Sequence, residues 1–139
     1  MARFDPAKRA LAIKRMLALP QPVKRRVHAQ LEANSKELVE MQQRVVAKDE
    51  GDLAASIKYE DISDEGRIAF RVTAGGPTTT REVRAGSGKS YDYANAVEHG
   101  TSDTKAKPFF FPSYRAKRKA FKAGTNKAAR AGVKEAMGS

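Results

Sequence analysis

The polar and apolar positions at the start of the chain follow the period of an α-helix. Asp5 and Pro6 form a helix start, because Asp caps a first turn well and Pro fits its first position. Apolar residues then recur as far as Leu19, where Pro20 and Pro22 interrupt the pattern. We therefore predict a short N-terminal helix that ends before residue 20.

A second and longer helix is predicted after these prolines. From Val23 onward, apolar or small residues recur at alternating spacings of four and three with charged residues between them. This stripe consists of Val27, Leu31, Asn34, Leu38, Met41 and Val45. We expect it to pack on the chain's own sheet, with packing on a neighbouring subunit as the alternative.

The hydrophobic period changes to two near residue 53. Leu53, Ala55, Ile57 and Tyr59 alternate with other positions, which is typical of a half-buried strand. Gly51 is expected to allow the sharp turn from the long helix into this strand.

A hairpin and a loop are predicted next. Residues 64–66 have turn chemistry and a second alternating run covers residues 68–74, which together indicate an antiparallel hairpin. A third strand is expected within residues 78–84. Residues 85–90 are small and polar, so we interpret them as a mobile loop.

The following segment combines a short helix with an aromatic cluster. Tyr93, Ala94 and Val97 fall on one helical face, and Gly100 is placed to end the helix. Residues 107–112 then read Lys-Pro-Phe-Phe-Phe-Pro, an apolar cluster between two prolines.

A last helix is predicted over residues 113–137, with Pro112 at its start. Its narrow apolar face consists of Tyr114, Phe121, Ala128 and nearby alanines. Gly124 and Gly132 are expected to weaken it, since glycine is a poor helix former.

These elements predict a single α+β domain. The expected architecture is a small antiparallel β-sheet packed with a long N-terminal helix, a short helix and a C-terminal helix. Within the 139 residues, we interpret residues 1–22 as a helical extension, residues 23–125 as the core, and residues 126–139 as a helix end that frays in an isolated subunit.

The composition narrows the functional classes. The chain has no cysteine, so disulfides and thiolate chemistry are excluded and a reducing cytoplasm is the expected site of synthesis. Charges interrupt the apolar positions near the N-terminus, which argues against a signal peptide or a membrane span. We therefore expect a soluble protein that is not exported by a cleaved signal.

The net charge of +11 is spread unevenly. Residues 1–48 contain eleven Lys/Arg and four Asp/Glu, a net charge of +7. Residues 49–104 contain six Lys/Arg and eleven Asp/Glu, a net charge of −5. Residues 105–139 contain ten Lys/Arg and one Asp/Glu, a net charge of +9. Basic ends that bracket an acidic middle favour either binding to nucleic acid or docking between subunits with complementary patches.

Candidate chemistry is sparse along the chain. Residues 88–90 (Gly-Lys-Ser) suggest a phosphate-binding loop, but the full motif requires glycine at the position of Val83. His28 and His99 lie on different elements without metal-ligand spacing. Glu98 beside His99 lacks a nucleophile for an acid–base pair to activate. We predict no enzyme activity, no cofactor and no metal site.

Two basic clusters are the candidates for contact with nucleic acid or with another subunit. Neither cluster comes with a recognition motif, so we favour a solvated helix face or a subunit contact, with nucleic-acid contact as the alternative. Their residues are Lys24, Arg25 and Arg26 in the first cluster, and Arg115, Lys117, Arg118, Lys119 and Lys122 in the second.

Three sequence blocks, in this order, resemble the tail-completion or neck protein family of long-tailed bacteriophages. The resemblance covers roughly residues 30–125. Its first block contains Gly51, Leu53, Ser56 and Ile57; its second contains Tyr93, Ala94, Val97, Glu98, Gly100 and Thr101; its third contains Pro108, Phe109, Phe111 and Pro112.

The resemblance implies a non-enzymatic virion protein assembled in the host cytoplasm. The expected assembly is a ring of six copies at the head-proximal end of the tail, which completes the tail and joins it to the head. Its expected partners are the stopper or adaptor proteins of the head connector and the tail tube protein. DNA would pass through the ring without sequence-specific contacts, and no membrane is involved. The alternative is a small basic module that binds nucleic acid.

The third block also has a physical interpretation. Pro108 and Pro112 stiffen the segment, so its rings can be presented at little entropic cost. Phe109 and Phe111 are expected to be buried either in the core or against an adjacent subunit.

Overall fold

The computed structural model describes residues 5–46, 51–82, 86, 88 and 90–138. The predicted α+β class, with a small antiparallel sheet, a long N-terminal helix, a short helix and a C-terminal helix, is confirmed. The elements are α1 (Pro6–Leu17), α2 (Gln21–Val45), α3 (Gly51–Ser56), β1 (Lys58–Asp61), β2 (Phe70–Thr73), a 3-10 turn (Pro77–Thr79), β3 (Thr80–Glu82), β4 (Ser90–Asp92), α4 (Tyr93–His99) and α5 (Phe111–Gly138).

Helix α1 begins and ends as its sequence predicts. The Asp5 side chain accepts hydrogen bonds from the backbone amides two and three residues further on, and a proline occupies the first turn. The helix lies against the turn between β1 and β2, where Ile13 packs on Gly66. A methyl group at Gly66 would lie 2.6 Å from Cγ2 of Ile13, so this contact requires glycine.

Helices α2 and α5 form a long antiparallel pair. The start of α2 meets the end of α5 at Val23 and Gly132, and the end of α2 meets the start of α5, where Gln42 donates a hydrogen bond to the carbonyl of Phe110. A methyl group at Gly132 would lie 2.5 Å from Cα of Val23. Gly132 therefore permits close helix packing, a role that the helix-weakening interpretation missed. Helix α2 contacts the sheet as expected, and α5 is its further partner.

The buried face of α2 departs from the predicted stripe near its C-terminal end. Asn34 and Leu38 are buried as expected, but Val45 is half exposed. A strict seven-residue repeat drifts by about 20° per heptad around a straight α-helix, so the stripe leaves the contact face as the helix lengthens. The residues that replace it on the buried face are Val39, Gln42 and Val46.

The strand predicted from Leu53 is wrong in its first half. Residues 51–56 form α3, and β1 begins only at Lys58, so Gly51 starts a helix instead of turning the chain into a strand. Leu53 and Ile57 are four positions apart, so they also fall on one face of a helical turn, and both are buried. Six residues are too few to separate the two periods.

The predicted hairpin is confirmed. Strands β1 and β2 are antiparallel with Tyr59 opposite Val72, and residues 64–67 close the turn. The third predicted strand is present as β3, which pairs with β4 in a second two-stranded sheet. The sequence did not predict β4. The loop predicted at residues 85–90 lies largely outside the described residues, and this includes Lys89.

The core is small. It forms where α2, α3 and α4 meet residues 107–112, which we call the Phe segment. No helix in the described part of the chain is long and apolar enough to cross a membrane. Helix α5 is helical as far as Gly138, and its fraying in an isolated subunit stays a prediction. The buried apolar cluster consists of Val39, Val46, Leu53, Ile57, Ala94 and Phe109.

Candidate functional site

The three sequence blocks that carry the family resemblance converge on one place in the fold. Leu53 and Ile57 of the first block, Ala94 of the second and Phe109 of the third belong to the same buried cluster. Tyr93 and Val97 of the second block pack against that cluster, as partly buried side chains. The blocks therefore form one structural unit, although they are far apart in sequence.

A buried carboxylate organises this unit. Oε2 of Glu98 accepts hydrogen bonds from the amides of Phe109 and Phe110 at 2.8 and 2.9 Å, and Oε1 accepts one from Phe111 at 3.0 Å. Since α5 begins at Phe111, these donors lie at a helix N-terminus, where backbone amides lack partners within the helix and favour negative charge. Glu98 therefore fixes both the Phe segment and the start of α5.

The electrostatics of Glu98 fit this role. Burial of its carboxyl group raises the pKa, but hydrogen bonds from the three amides and the nearby His99 more than offset this effect, so the pKa lies below its ordinary value. Both oxygens are occupied by backbone donors. Glu98 thus has a structural role in place of the acid–base pairing with His99 that the sequence analysis considered.

A tight loop carries the chain from α4 to the Phe segment. Gly100 ends α4 with a φ of 77°, and a methyl group there would lie 2.8 Å from the backbone nitrogen of Ala106. Residues 101–104 close on themselves through backbone and Thr side-chain hydrogen bonds. The amide of Lys107 then donates to the carbonyl of Val97 at 2.7 Å, which returns the chain to α4.

A second carboxylate organises the opposite end of α4. Asp92 accepts hydrogen bonds from the Thr79 hydroxyl at 2.6 Å and from the amides of Gly76 and Ala94 at 2.9 Å. Burial raises the pKa of Asp92, but the hydrogen bonds from these three donors more than offset this effect, so the pKa lies below its ordinary value. A methyl group at Gly75 would lie 2.3 Å from Oδ2 of Asp92, so only glycine fits there.

Ser56 of the first block holds the same glycine turn from the other side. Its hydroxyl donates to the carbonyl of Leu53 at 2.6 Å and accepts from the amide of Gly75 at 2.9 Å. Ser56 therefore connects α3 to the turn at residues 75–76, and Asp92 connects the same turn to α4.

Gln42 is a site residue that the sequence analysis placed off the contact face. It is fully buried, and its Nε2 donates to the carbonyl of Phe110 at 3.1 Å. This hydrogen bond joins α2 to Phe110, whose amide donates to Glu98 of α4. A polar residue between apolar neighbours of a predicted stripe is the only local signal of this role.

The phenylalanine rings of the Phe segment differ in burial. Phe109 is 2% exposed, as predicted for core burial, whereas Phe111 is 46% exposed and Tyr114, one turn further on, is 42% exposed. The expectation that Phe111 is buried in the chain's own core is therefore wrong, and its burial against an adjacent subunit stays a prediction. Phe110 packs edge-on against Phe111, with ring centroids 5.1 Å apart.

The first basic cluster is engaged within the chain. Nη2 of Arg25 and Nε of Arg26 contact the two carboxylate oxygens of Glu135, each at 2.6 Å. Lys24 donates to the backbone carbonyl of Leu17 at 3.3 Å. These contacts join the start of α2 to the end of α5 and to α1.

The second basic cluster is mostly unpaired. Lys117 contacts Glu37 of α2 at 2.9 Å. Within the described ranges, the other members form no ion pair or hydrogen bond, and each is exposed to solvent on α5. They are Arg115, Arg118, Lys119 and Lys122.

The two histidines lie on different helices, His28 on α2 and His99 at the end of α4. Nε2 of His28 on α2 lies 2.7 Å from Oδ2 of Asp61 at the end of β1. The backbone amide of Ser63 also donates a hydrogen bond to Asp61. Hydrogen bonds from Ser63 and His28 lower the pKa of Asp61 to about 2. In the part of the chain that the structure describes, no three His, Asp or Glu side chains are grouped to hold a metal ion.

Comparison with known proteins agrees with the resemblance at the level of a tail component. The profile of the family described as "Bacteriophage HK97-gp10, putative tail-component" matches residues 12–100. The match starts within α1 and ends at Gly100, so it includes the first block and all of the second block except Thr101, and it leaves out residues 107–112 and α5. No curated protein and no solved structure matches the chain. Since the profile covers more than half of its length, the chain belongs to the HK97-gp10-like family of bacteriophage tail components.

Proposed function

We propose that this tail component is a structural subunit of the phage neck. Six copies form a ring at the head-proximal end of the tail, which completes the tail and joins it to the head connector. The observation that carries the proposal is the exposed aromatic pair Phe111 and Tyr114 at the start of α5. Glu98 holds the backbone beneath them, so the rings can dock with little loss of conformational freedom.

Other surfaces support association between copies. Helix α1 exposes Leu11, Leu17 and Leu19, and the far end of α5 exposes Val133 and Met137. These apolar patches lie on different parts of the chain, which suits head-to-tail contacts that close into a ring. The unpaired cations of α5 and the acidic middle of the sequence give such contacts complementary charge.

The proposed partners follow from a place in the neck. The ring would contact the stopper or adaptor proteins of the connector on one side and the tail tube protein on the other. DNA would pass through its lumen without sequence-specific recognition, and the protein would have no enzymatic role.

The exposed ring provides a direct test. Phe111→Ala should leave the fold intact, because the side chain lies outside the core, but it should reduce self-association and tail completion. Val45→Ala is the matched control, since Val45 is an apolar side chain of similar exposure, at 50%, that lies outside the proposed association surfaces. Sedimentation velocity and an in vitro tail-completion assay measure both variants. Wild-type association of Phe111→Ala would remove the main support for the neck proposal.

A nucleic-acid-binding module is the second candidate function. The observation that favours it is the row of unpaired cations on α5. Binding to free duplex DNA should then be strong and should fall steeply with salt, because counterions are released from the phosphates. A ring subunit should instead associate with itself while binding duplex weakly. Titration of labelled duplex at several salt concentrations separates the two candidates.

A further inference from the structure

A cleft runs along the outer side of strand β2. Its larger part, about 790 Å³, lies between β2 and α5 with α2 as its floor. A second hollow of about 250 Å³ continues it between β2, α4 and the Phe segment, and Val72 lines both parts. The cleft thus follows the strand from Phe70 to Ala74, a length of about 16 Å at the rise of an extended chain.

Among the described residues, no strand pairs with the backbone of β2 on the side of this cleft. Strand β2 pairs only with β1 among the described strands. The amide of Ile62 donates to the carbonyl of Ala69, and hydrogen-bonded pairs alternate along an antiparallel ladder. The N–H and C=O groups of Phe70 and Val72 therefore point away from β1. Thr73 and Ala74 line the hollow together with Val72, so the strand edge itself borders it.

The walls of the cleft combine apolar and basic side chains. Leu31 and Leu38 of α2, Phe70 and Val72 of β2, and Phe121 of α5 provide apolar surface. Arg118, Lys119 and Lys122 of α5 form the rim opposite β2. Within the described residues, none of these three cations forms an ion pair or a hydrogen bond.

We propose that this cleft binds an extended, acidic segment of another protein, which adds to β2 as a third strand. The free edge supplies backbone hydrogen bonds, the apolar wall accepts alternate side chains, and the basic rim attracts acidic residues. A third strand also stabilises a sheet that has two strands among the described residues. The proposal does not depend on ring formation.

The geometry favours a single extended segment over the two other candidate occupants. Residues of α5 line the cleft opposite β2, so an extended segment can enter it alone, whereas the hairpin of a second copy would bring its own α2 against α5. A nucleic acid would use the cations but would leave the strand edge and the apolar wall without partners.

The experiment uses the full chain and a defined probe. The probe is a blocked seven-residue peptide in which valine or isoleucine alternates with glutamate. We expect amide chemical-shift changes centred on Phe70, Val72 and Ala74, with saturation at or below about 1 mM, the weak end of specific binding. A peptide with lysine in place of glutamate, and one with alternate backbone amides methylated, should bind at least about tenfold more weakly.

Charge variants of the protein complete the test. Lys119→Glu combined with Lys122→Glu should weaken the acidic peptide at least about tenfold. Lys127→Glu combined with Lys134→Glu is the matched control, because it changes the net charge equally away from the cleft lining. Circular dichroism checks that both variants fold.

Three outcomes would overturn the proposal. One is the absence of localised shifts at the highest peptide concentration. Another is equal binding of the lysine and glutamate peptides. The third is duplex DNA that binds at Arg118, Lys119 and Lys122 and is not displaced by the peptide, which would assign the rim to nucleic acid.

Discussion

Two carboxylates, those of Glu98 and Asp92, hold in place the backbone of the sequence blocks that carry the family resemblance and of their neighbouring turns. Glu98 receives three amides from residues 109–111, and Asp92 receives two amides and a hydroxyl around the turn at residues 75–76. Charge-assisted hydrogen bonds of this kind are stronger than neutral ones. Each carboxylate connects backbone segments that make no regular secondary structure with each other.

Replacement of Glu98 by glutamine should destabilise the protein. The amide of Gln keeps one acceptor oxygen but places an NH₂ group against a backbone donor. We expect a loss of about 3 kcal/mol in the free energy of unfolding, from hydrogen bonds to a charged group and one unsatisfied buried donor. Urea unfolding measures it, with Glu65→Gln on the exposed hairpin turn as the control. A variant as stable as the wild type would contradict the role assigned to Glu98.

The depressed pKa of Glu98 predicts an acid-dependent loss of stability. Because the pKa is lower in the folded state, the contribution of Glu98 is fully present above the unfolded-state pKa, about 4.3. It is lost as the pH falls through the folded-state value. The difference in unfolding free energy between wild type and Glu98→Gln should therefore shrink below about pH 4. A difference that stays constant from pH 7 to pH 3 would show that the charge is not responsible.

Some of these residue roles were visible in the sequence and others were not. The Asp5 cap is local, since its partners are two and three residues away, and it was predicted. The partners of Glu98 lie eleven to thirteen residues away across an irregular loop, and Gln42 reaches 68 residues to Phe110. Periodicity carries no information about such contacts, so only the resemblance marked Glu98.

At the scale of elements, the pairing of α2 with α5 holds the molecule together. Gly132 lets α5 approach α2 closely. Ion pairs of Arg25 and Arg26 with Glu135 fix one end of the helix pair. The hydrogen bond from Gln42 to Phe110 fixes the other end. Glycine in this helix thus contributes through packing, which outweighs its low helix propensity.

Two glycines of α5 should respond oppositely to alanine. At Gly132, a methyl group would meet the backbone of Val23 at 2.5 Å, so Gly132→Ala should lower stability by about 1 to 3 kcal/mol. At Gly124, the nearest atom is the flexible end of Gln30 at 3.1 Å, so Gly124→Ala should be neutral or stabilising by up to about 1 kcal/mol. Thermal unfolding compares the two. Equal effects would contradict close packing at Gly132.

Phe109 anchors the third block to the core. Removal of a buried phenylalanine ring costs about 3 to 5 kcal/mol, comparable to the total stability of a marginal domain. Phe109→Ala should therefore unfold, or melt at much lower temperature, whereas Phe111→Ala should melt normally. Calorimetry of both variants checks this. A Phe109→Ala protein with wild-type melting would show that the block does not anchor the fold.

The sequence predicted most elements, and the failures have a shared cause. Helices α1, α2 and α5 span several turns, which establishes their period, and turn or terminating residues mark the first hairpin and α4. Helix α3 and strand β4 have six and three residues. Over such lengths tertiary contacts decide the conformation, as at Leu53 in α3 and Ile57 directly after it, whose spacing fits both periods.

At the scale of the whole molecule, a small core carries long, charged surfaces. If the basic end of one copy meets the acidic middle of the next, assembly should weaken as salt rises and the screening length falls to about 10 Å. Sedimentation velocity at low and moderate salt measures this dependence. Assembly that strengthens with salt would indicate an apolar interface centred on Phe111 and the leucines of α1.

The central claim is that this tail component works as a ring in the neck. Negative-stain electron microscopy of the purified full-length protein, at low salt and high concentration, tests it most directly. We predict closed rings of uniform diameter with six-fold class averages, and their loss in Phe111→Ala. A wild-type protein that remains monomeric under these conditions, alone and with isolated tails, would show that the protein does not work as a ring.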